Sequence, residues 1–115
     1  MGNKALGLLI RRLRKKKGLS LRKLAEQVDV SFVNISHIEN GKIITSKTVI
    51  KQIAKALDYD SDKLLAAGNA VGDDIEKIIR KIPTAVPAFL RTAKNLTEEE
   101  WISLTEQVKN MGKKK

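Results

Sequence analysis

Apolar residues recur at spacings of three and four along almost the whole chain, a period typical of amphipathic helices and not of strands. The first stripe lies within a segment from about Asn3 to Lys17 and consists of Leu6, Leu9, Ile10 and Leu13. Comparable stripes predict further helices over about 21–28, 32–39, 46–57 and 61–67. Because no run alternates between apolar and polar residues, we expect an all-α fold.

Residues that start and end helices stand at the borders of these segments. A serine caps a helix by accepting a backbone N–H, and three serines precede stripes: Ser20, Ser31 and Ser46. Gly18 and Gly41 follow stripes, where glycine readily ends a helix. The short helices 21–28 and 32–39, joined by a tight turn, therefore predict a helix-turn-helix, whose second helix reads DNA in such motifs.

A linker at 68–72, with two glycines in five residues, divides the chain. The predicted organisation is a helix-turn-helix domain over 1–67, a helical segment over 73–112 and a basic tail over 113–115. The helical segment serves dimerisation or regulation in this scheme.

Three helices are predicted beyond the linker, over about 73–81, 84–94 and from Thr97 to about Asn110. Thr97 and Glu100 form a capping box that opens the last one. We expect the apolar residues of this segment to be buried; they are Ile75, Ile78, Ile79, Ile82, Val86, Phe89, Leu90, Leu96, Trp101, Leu104 and Val108.

The charge is strongly positive and unevenly placed. The chain has 23 Lys+Arg against 13 Asp+Glu, a formal net charge of +10. Residues 1–67 hold fourteen of these cations and six of the acids, a net +8, so the first half is expected to bind a polyanion. A basic protein without such a partner remains the alternative. Aromatic residues are too few to form a stacking platform, which favours duplex DNA over single-stranded RNA.

The composition argues against catalysis and against metal binding. The chain has no cysteine and one histidine, His37, so thiolate metal sites and cysteine nucleophiles are excluded. Neither a glycine-rich phosphate loop nor a nucleophile–base pair appears, and we expect no enzyme activity and no cofactor. The uncharged stretch Ala5–Ile10 is too short to span a bilayer. We expect a cytoplasmic, nucleoid-associated protein without a membrane partner.

The first half resembles a known family. The stretch IRRLRKKKGLSLRKLA at 10–25, Val30-Ser31 and ISHIENGK at 35–42 are similar to the Cro/phage-repressor (XRE) helix-turn-helix family. The segments IAKAL at 53–57 and DKLL at 62–65 fit its fourth and fifth helices. The resemblance covers about residues 4–67. It implies a five-helix phage-repressor-like domain in a transcriptional regulator, a repressor that binds a palindromic operator as a homodimer.

Two positions depart from the family pattern. Asp29 stands in the turn where glycine is usual, and we expect it to adopt the left-handed backbone that aspartate tolerates. Thr45 stands where proline is frequent. Neither change threatens the predicted fold.

Helical geometry identifies the outer face of the predicted recognition helix. With Ile35 and Ile38 inward, the N-terminal and outward residues become the candidate base readers, namely Ser31, Phe32, Val33, Asn34, Ser36 and His37. Phe32 and Val33 offer apolar surface to thymine methyl groups, while the polar members can hydrogen-bond to base edges. Since no Arg or Gln lies on this face, we expect a preference for half-sites that contain thymine.

Candidate phosphate contacts flank that helix. They are Ser20, Leu21, Arg22 and Lys23 at the start of the second helix, and Asn40, Lys42 and Lys47 around the loop that follows the third. About six phosphate contacts predict a log–log salt slope of about −5.

Several of these interpretations have structural alternatives. Val33 could be an inert surface residue, and His37 a solvated surface histidine. Phe32 could pack as core against the first helix. The charge run Arg14–Lys17 could be a solvated helix end. Glu39 is interpreted as a structural residue that pairs with Arg11 or Arg14, because phosphates would repel its carboxylate.

The second half is too small to form a core alone, which predicts dimerisation through Phe89, Leu90, Trp101, Leu104 and Val108. Packing back onto the first domain is the alternative. The pattern from Asp74 to Trp101 also resembles the tails of short repressors associated with ImmA/IrrE-type metallopeptidases, which implies a tail open to proteolytic control. A rival interpretation is an antitoxin or protein-interaction module whose C-terminal helices bind a toxin or another partner protein.

Overall fold

The structure, a computed structural model, describes residues 2–113, so the last two lysines of the predicted basic tail lie outside the described residues. Within this range the chain forms eight helices and no strand, and the predicted all-α fold is confirmed. None of the helices in the described range is long and apolar enough to cross a membrane. The helices are α1 (Lys4–Lys16), α2 (Leu21–Ala25), α3 (Phe32–Glu39), α4 (Lys47–Ala56), α5 (Ser61–Ala67), α6 (Asp73–Lys81), α7 (Ala85–Ala93) and α8 (Glu98–Lys113).

The predicted caps set the helix borders in the first half. The hydroxyls of Ser20, Ser31 and Ser46 each accept the backbone N–H of the third residue of the helix that follows, at 3.0–3.2 Å. These helices are α2, α3 and α4, respectively. Gly18 and Gly41 adopt φ values of +76° and +70°, which glycine reaches without the steric cost that other residues bear. The expected borders of α3 are confirmed at both ends.

The hydrophobic core lies within the first half and holds α3 in place. The inner face of α3 is closed, since Ile35 and Ile38 are 0% and 2% exposed. Against them and one another pack the core residues of the other helices, among them Leu6, Ile10, Leu24, Ile50, Ile53, Leu64 and Leu65. The outer face of α3 is thereby fixed relative to α1, α2 and α4.

The turn before α3 differs from the prediction. α2 ends at Ala25 instead of continuing to residue 28, and residues 26–30 form turns and bends. Asp29 does not adopt a positive φ, so the expected left-handed backbone was wrong. Its N–H donates to Gln52 Oε1 at 2.9 Å, and Gln52 Nε2 donates to Asp29 Oδ2 at 2.8 Å. This reciprocal pair ties the turn to α4.

The chain divides into two compact units between Ile75 and Glu76. The first unit therefore extends past residue 67, where the sequence placed its end, through the linker and into the first turn of α6. An ion pair between Lys47 Nζ and Asp73 Oδ1, at 3.2 Å, joins the start of α6 to the start of α4. Such a contact between distant residues leaves no pattern in the sequence.

The second unit has almost no interior of its own. Among its described residues Ala93 alone is buried. Within the single chain the predicted burial is reached only in part: Ile78 is 51% exposed, Phe89 47%, Leu90 43% and Val108 55%, whereas the half-buried members are Ile79, Val86, Leu96, Trp101 and Leu104. Three short helices cannot surround one another's side chains.

Local order in the second unit nevertheless follows the sequence. Thr97 and Glu100 form the expected capping box, each side chain accepting the other residue's N–H at 3.1 and 2.9 Å. The rings of Phe89 and Trp101 meet edge to face, with centroids 6.1 Å apart. α8 continues to Lys113 and not to Asn110, because neither a proline nor an αL residue stops it there.

Candidate nucleic-acid interface

The N-terminal half of α3 is the exposed part of the helix. Phe32 and Val33 are 36% and 47% exposed, and Asn34 is exposed beside them. Ser36 and His37, one turn further along, are half-buried. Ser31 uses its hydroxyl oxygen as the helix cap, accepting Asn34 N–H at 3.2 Å, and retains its O–H as a donor. All six candidate base readers are therefore at least partly exposed to solvent.

Phe32 is not a core residue. The guanidinium carbon of Arg22 lies over its ring, 4.2 Å from the centroid. This cation–π contact places a predicted phosphate-contacting side chain against a predicted base reader. Sequence spacing did not indicate it, because the turn between α2 and α3 sets the distance.

A buried ion pair fixes the far end of α3, and it confirms the structural interpretation of Glu39. That side chain is 2% exposed. Arg14 Nε donates to Glu39 Oε2 at 2.6 Å and Arg14 Nη2 to Oε1 at 3.0 Å, a bidentate pair. Arg11 Nε adds a longer contact to Oε1 at 3.4 Å. The third helix is therefore locked to α1 by charge as well as by apolar packing.

The basic run at the end of α1 divides into two classes. Arg14 is buried, and its Nη1 also donates to the carbonyl of Leu19 at 2.8 Å. Lys17 donates to the carbonyl of Ala56 at 2.9 Å and to Asp58 Oδ2 at 2.6 Å. Lys15 and Lys16 are exposed. A solvated helix end describes these two lysines, whereas Arg14 belongs to a buried ion pair and Lys17, although exposed, has partners in Ala56 and Asp58.

The candidate phosphate contacts at the start of α2 surround a capped helix end. Ser20 accepts Lys23 N–H at 3.0 Å, Leu21 is half-buried, and Arg22 and Lys23 are exposed. Lys23 Nζ lies 3.9 Å from Glu26 Oε2, with both side chains about two-thirds exposed. Exposed pairs of this kind contribute about 0–1 kcal/mol, so a phosphate can compete for Lys23.

The contacts proposed after α3 have different surroundings. Lys42 is exposed in the loop. Asn40 is exposed, and its Oδ1 accepts a short hydrogen bond from Arg11 Nη2. Lys47 is half-buried and is paired with Asp73. A phosphate at Lys47 would therefore compete with a carboxylate of this chain.

Sequence reasoning missed two residues that position this surface, Gln52 and Gly7. A Cβ at Gly7 would lie 2.4 Å from the carbonyl oxygens of both Ile38 and Glu39, so only glycine lets α1 approach the end of α3 this closely. A glycine in the middle of a helix was the available signal, because such a residue costs about 1 kcal/mol of helix propensity relative to alanine.

Comparisons with known proteins show that the first unit is similar to helix-turn-helix proteins. The helix-turn-helix family model HTH_3 matches residues 10–64. The clp gene regulator ClgR from C. glutamicum is similar, with 31% identity, a TM-score of 0.52, and coverage of 58% of this chain and 87% of that one. The restriction-modification controller protein C.AhdI from Aeromonas hydrophila has 31% identity and a TM-score of 0.51, with coverage of 53% and 92%.

A third solved structure is similar over almost the whole length. It is a complex of the SinR and SinI proteins, with 23% identity, a TM-score of 0.51, and coverage of 94% of this chain and 98% of that one. At this identity the likeness concerns the fold alone. No curated protein matched the chain.

Proposed function

Since the chain belongs to the HTH_3 helix-turn-helix family and is a non-enzymatic, DNA-binding transcriptional regulator, we propose that it is a repressor that binds a palindromic operator as a homodimer. The repressor role, the palindrome and the dimer are the parts that extend beyond the family. Binding to DNA would take place in the cytoplasm.

The exposed N-terminal half of α3 carries the DNA-reading part of the proposal. Its inner face is closed by Ile35 and Ile38, its far end is locked through Glu39, and its outer face presents Phe32 and Val33. Apolar residues this exposed at the tip of a helix cost solvation, which contact with thymine methyl groups in the major groove would recover. Ser31, Asn34, Ser36 and His37 supply the hydrogen-bonding groups beside them.

The grip on the phosphates is assigned to the groups around that helix. Arg22, Lys23 and Lys42 are exposed cations on the same unit, and the other candidates lie at three helix borders: Ser20 and Leu21 at the start of α2, Asn40 at the end of α3 and Lys47 at the start of α4. Contacts of this kind set the register on the duplex without reading bases. They predict affinity that falls with salt at a log–log slope of about −5 for about six contacts.

The second unit supports the dimer. Besides Ile102, which points to another side of α8, its described residues include six large apolar side chains that are each more than two-fifths exposed: Ile78, Ile82, Phe89, Leu90, Val108 and Met111. Exposed apolar surface on this scale marks an interaction site. A second copy related by a two-fold axis would bury Phe89, Leu90, Trp101, Leu104 and Val108 and would present two recognition helices to half-sites about one helical turn apart.

A selection of bound duplexes from a random library, combined with the mass of the complex in solution, tests this function. The proposal predicts an inverted repeat enriched in thymine near the centre of each half-site, bound by two chains, and reporter expression that falls when the site overlaps a promoter. Recovery of random duplexes, or of a single half-site bound by one chain, would contradict it.

The same exposed apolar side chains make a protein partner the second candidate. A toxin, or a regulatory metallopeptidase of the kind the tail resemblance implies, would cover them in place of a second copy. Purification separates the two functions by mass. A homodimer that is stable alone supports the repressor, whereas a chain that is monomeric until a second protein is co-expressed supports the partner.

A further inference from the structure

Arg22 and Phe32 form a stacked pair at the tip of the recognition helix, although they belong to different helices. Arg22 is the second residue of α2, and Phe32 is the first residue of α3. The guanidinium lies over the ring at 4.2 Å, and both side chains are exposed. Neither is held by a core, so each limits the freedom of the other.

We propose that Arg22 is a specificity-determining residue that positions the Phe32 ring against the C5-methyl group of a pyrimidine in the major groove. The inference rests on the proposed function, because it requires α3 to lie in that groove. Arg22 then does two things at once. A guanidinium stacked on an aromatic ring keeps its N–H donors in its own plane, where they can reach a phosphate oxygen.

The surroundings of the pair favour an apolar target. Arg22 and Phe32 line a shallow, open cleft together with Ala25, Glu26, Val30 and Ser31. Its apolar members are a ring, a methyl group and a branched side chain, and a pyrimidine methyl group is the apolar feature of the major groove. An unstacked Phe32 could swing away from this cleft, and the side-chain entropy of fixing it would weaken any methyl contact.

Thymine and 5-methylcytosine carry the same methyl group, and substituted duplexes separate them. The test uses the duplex recovered by selection, in which each thymine of the half-site is replaced in turn by deoxyuridine. Burial of one methyl group predicts affinity about fourfold lower for deoxyuridine at the contacted position. A second pair of duplexes carries cytosine or 5-methylcytosine there. If the duplex with 5-methylcytosine binds about as tightly as the duplex with thymine, the protein reads the methyl group alone. If the thymine duplex binds more tightly than the 5-methylcytosine duplex, the contact includes the ring edge of thymine. Both results support the pair as a methyl reader.

Matched variants separate positioning from charge. Arg22→Ala and Lys23→Ala each remove one exposed cation from α2, and both are expected to shallow the salt slope by about one unit. Of these two variants, only Arg22→Ala should reduce the ratio of the affinities for thymine and deoxyuridine duplexes from about four to about one. Phe32→Ala should also bring the ratio to one while leaving the salt slope unchanged. Arg22→Lys should restore the slope but recover the ratio only in part, because an ammonium is attracted to the ring but cannot stack a planar face on it.

Three outcomes would overturn the inference and leave the proposed operator-binding repressor standing, although the first would also remove its thymine-methyl contact. They are a wild-type ratio of one at every thymine of a specific duplex, an Arg22→Ala variant that keeps the wild-type ratio, and an Arg22→Lys variant that regains it in full. A wild-type protein that prefers no duplex would instead overturn the function itself. Thermal melts of each variant confirm that the domain is folded, as expected for exposed residues.

Discussion

A single change at Glu39 is expected to destabilise the domain strongly. The side chain is 2% exposed, and its carboxylate accepts two hydrogen bonds from the buried Arg14. Glu39→Ala leaves that guanidinium buried without its counter-charge, which costs about 3–5 kcal/mol. Urea unfolding followed by circular dichroism measures the loss.

The matched control replaces both partners. Arg14→Met combined with Glu39→Leu removes the pair without leaving a buried charge, and such replacements are often close to neutral. We expect the double variant to be more stable than Glu39→Ala alone. A single variant that loses less than about 1 kcal/mol, the value of an exposed ion pair, would show that the pair is not buried in solution.

Gly7 gives a second stability prediction. A Cβ at this position would meet two backbone carbonyl oxygens at 2.4 Å, and backbone cannot rotate away. Gly7→Ala is therefore expected to lower the free energy of unfolding by about 1–3 kcal/mol, in spite of alanine's higher helix propensity. Gly112→Ala is the control, because its Cβ would meet nothing within 4 Å. Thermal melts should show a loss for the first variant and no loss for the second; equal melts would contradict the close approach.

These two residues show what the sequence can predict at this scale. Glu39 was identifiable, because a carboxylate beside a DNA-reading face needs a cation, and α1 offers several. Gly7 gave only the signal of a glycine inside a helix, and Asp29 gave none for its bond to Gln52, since both roles depend on residues far away along the chain. Contacts between helices are set by packing and leave no local pattern.

At the scale of elements, α3 is expected to separate base reading from phosphate binding. Replacing Asn34 and His37 together by Ala removes hydrogen-bonding groups from its outer face without removing a fixed charge. The preference for the selected duplex over a scrambled one should fall by about 1–3 kcal/mol per lost base contact, with the salt slope nearly unchanged.

Lys42→Ala is the counterpart in the loop after α3. It should weaken binding to both duplexes equally and shallow the salt slope by about one unit. Fluorescence anisotropy across a salt series measures both quantities. If the two variants change preference and slope in the same way, the division of roles between α3 and its flanking loop is wrong.

Helix borders were predictable where a cap is local and less so where it is not. α3 begins after Ser31 and ends before Gly41 because each signal acts within one turn of the helix. α2 ends early because residues 26–30 form the turn that the Asp29–Gln52 pair holds. α8 continues past Asn110, because no proline and no residue in the αL conformation ends the helix there.

At the scale of the whole molecule, Trp101 tests the role of the second unit. It lies in the same stripe of α8 as Leu104 and Val108, and its ring meets Phe89. Tryptophan at the centre of an interface commonly contributes 2 kcal/mol or more, so Trp101→Ala should raise the dimer dissociation constant by about thirtyfold. Sedimentation velocity over a concentration series detects the shift towards monomer.

Ile102→Ala is the matched control for that experiment. Ile102 is 59% exposed, follows Trp101 directly and therefore points about 100° away around the helix. Its replacement should leave the dimer intact. A Trp101→Ala variant that sediments like the wild type would remove Trp101 from the interface, and a monomeric wild type would remove the interface altogether.

One physical reason explains why the predicted burial of the apolar stripes is reached in the first unit and only in part in the second. Periodicity shows which face of a helix is apolar but not what covers that face. In the first unit five helices cover one another, and Ile10, Ile53 and Leu64 are fully buried as expected. In the second unit the stripes are present without cover, because a segment this short has too few layers to close. The sequence shows that this segment is short, but it does not show how far its apolar side chains are exposed.

A disulfide cross-link to the major groove tests the central claim most directly, because the chain has no cysteine of its own. Asn34→Cys places one thiol on the exposed face of α3, and Lys55→Cys places one on the exposed side of α4. Each variant is incubated with the selected duplex carrying a thiol tethered to a cytosine N4 in the half-site. We predict cross-linking at residue 34 that excess wild-type protein blocks, and none at residue 55. Equal cross-linking at both positions, or none at residue 34 under conditions where the duplex is bound, would contradict the placement of α3 in the groove.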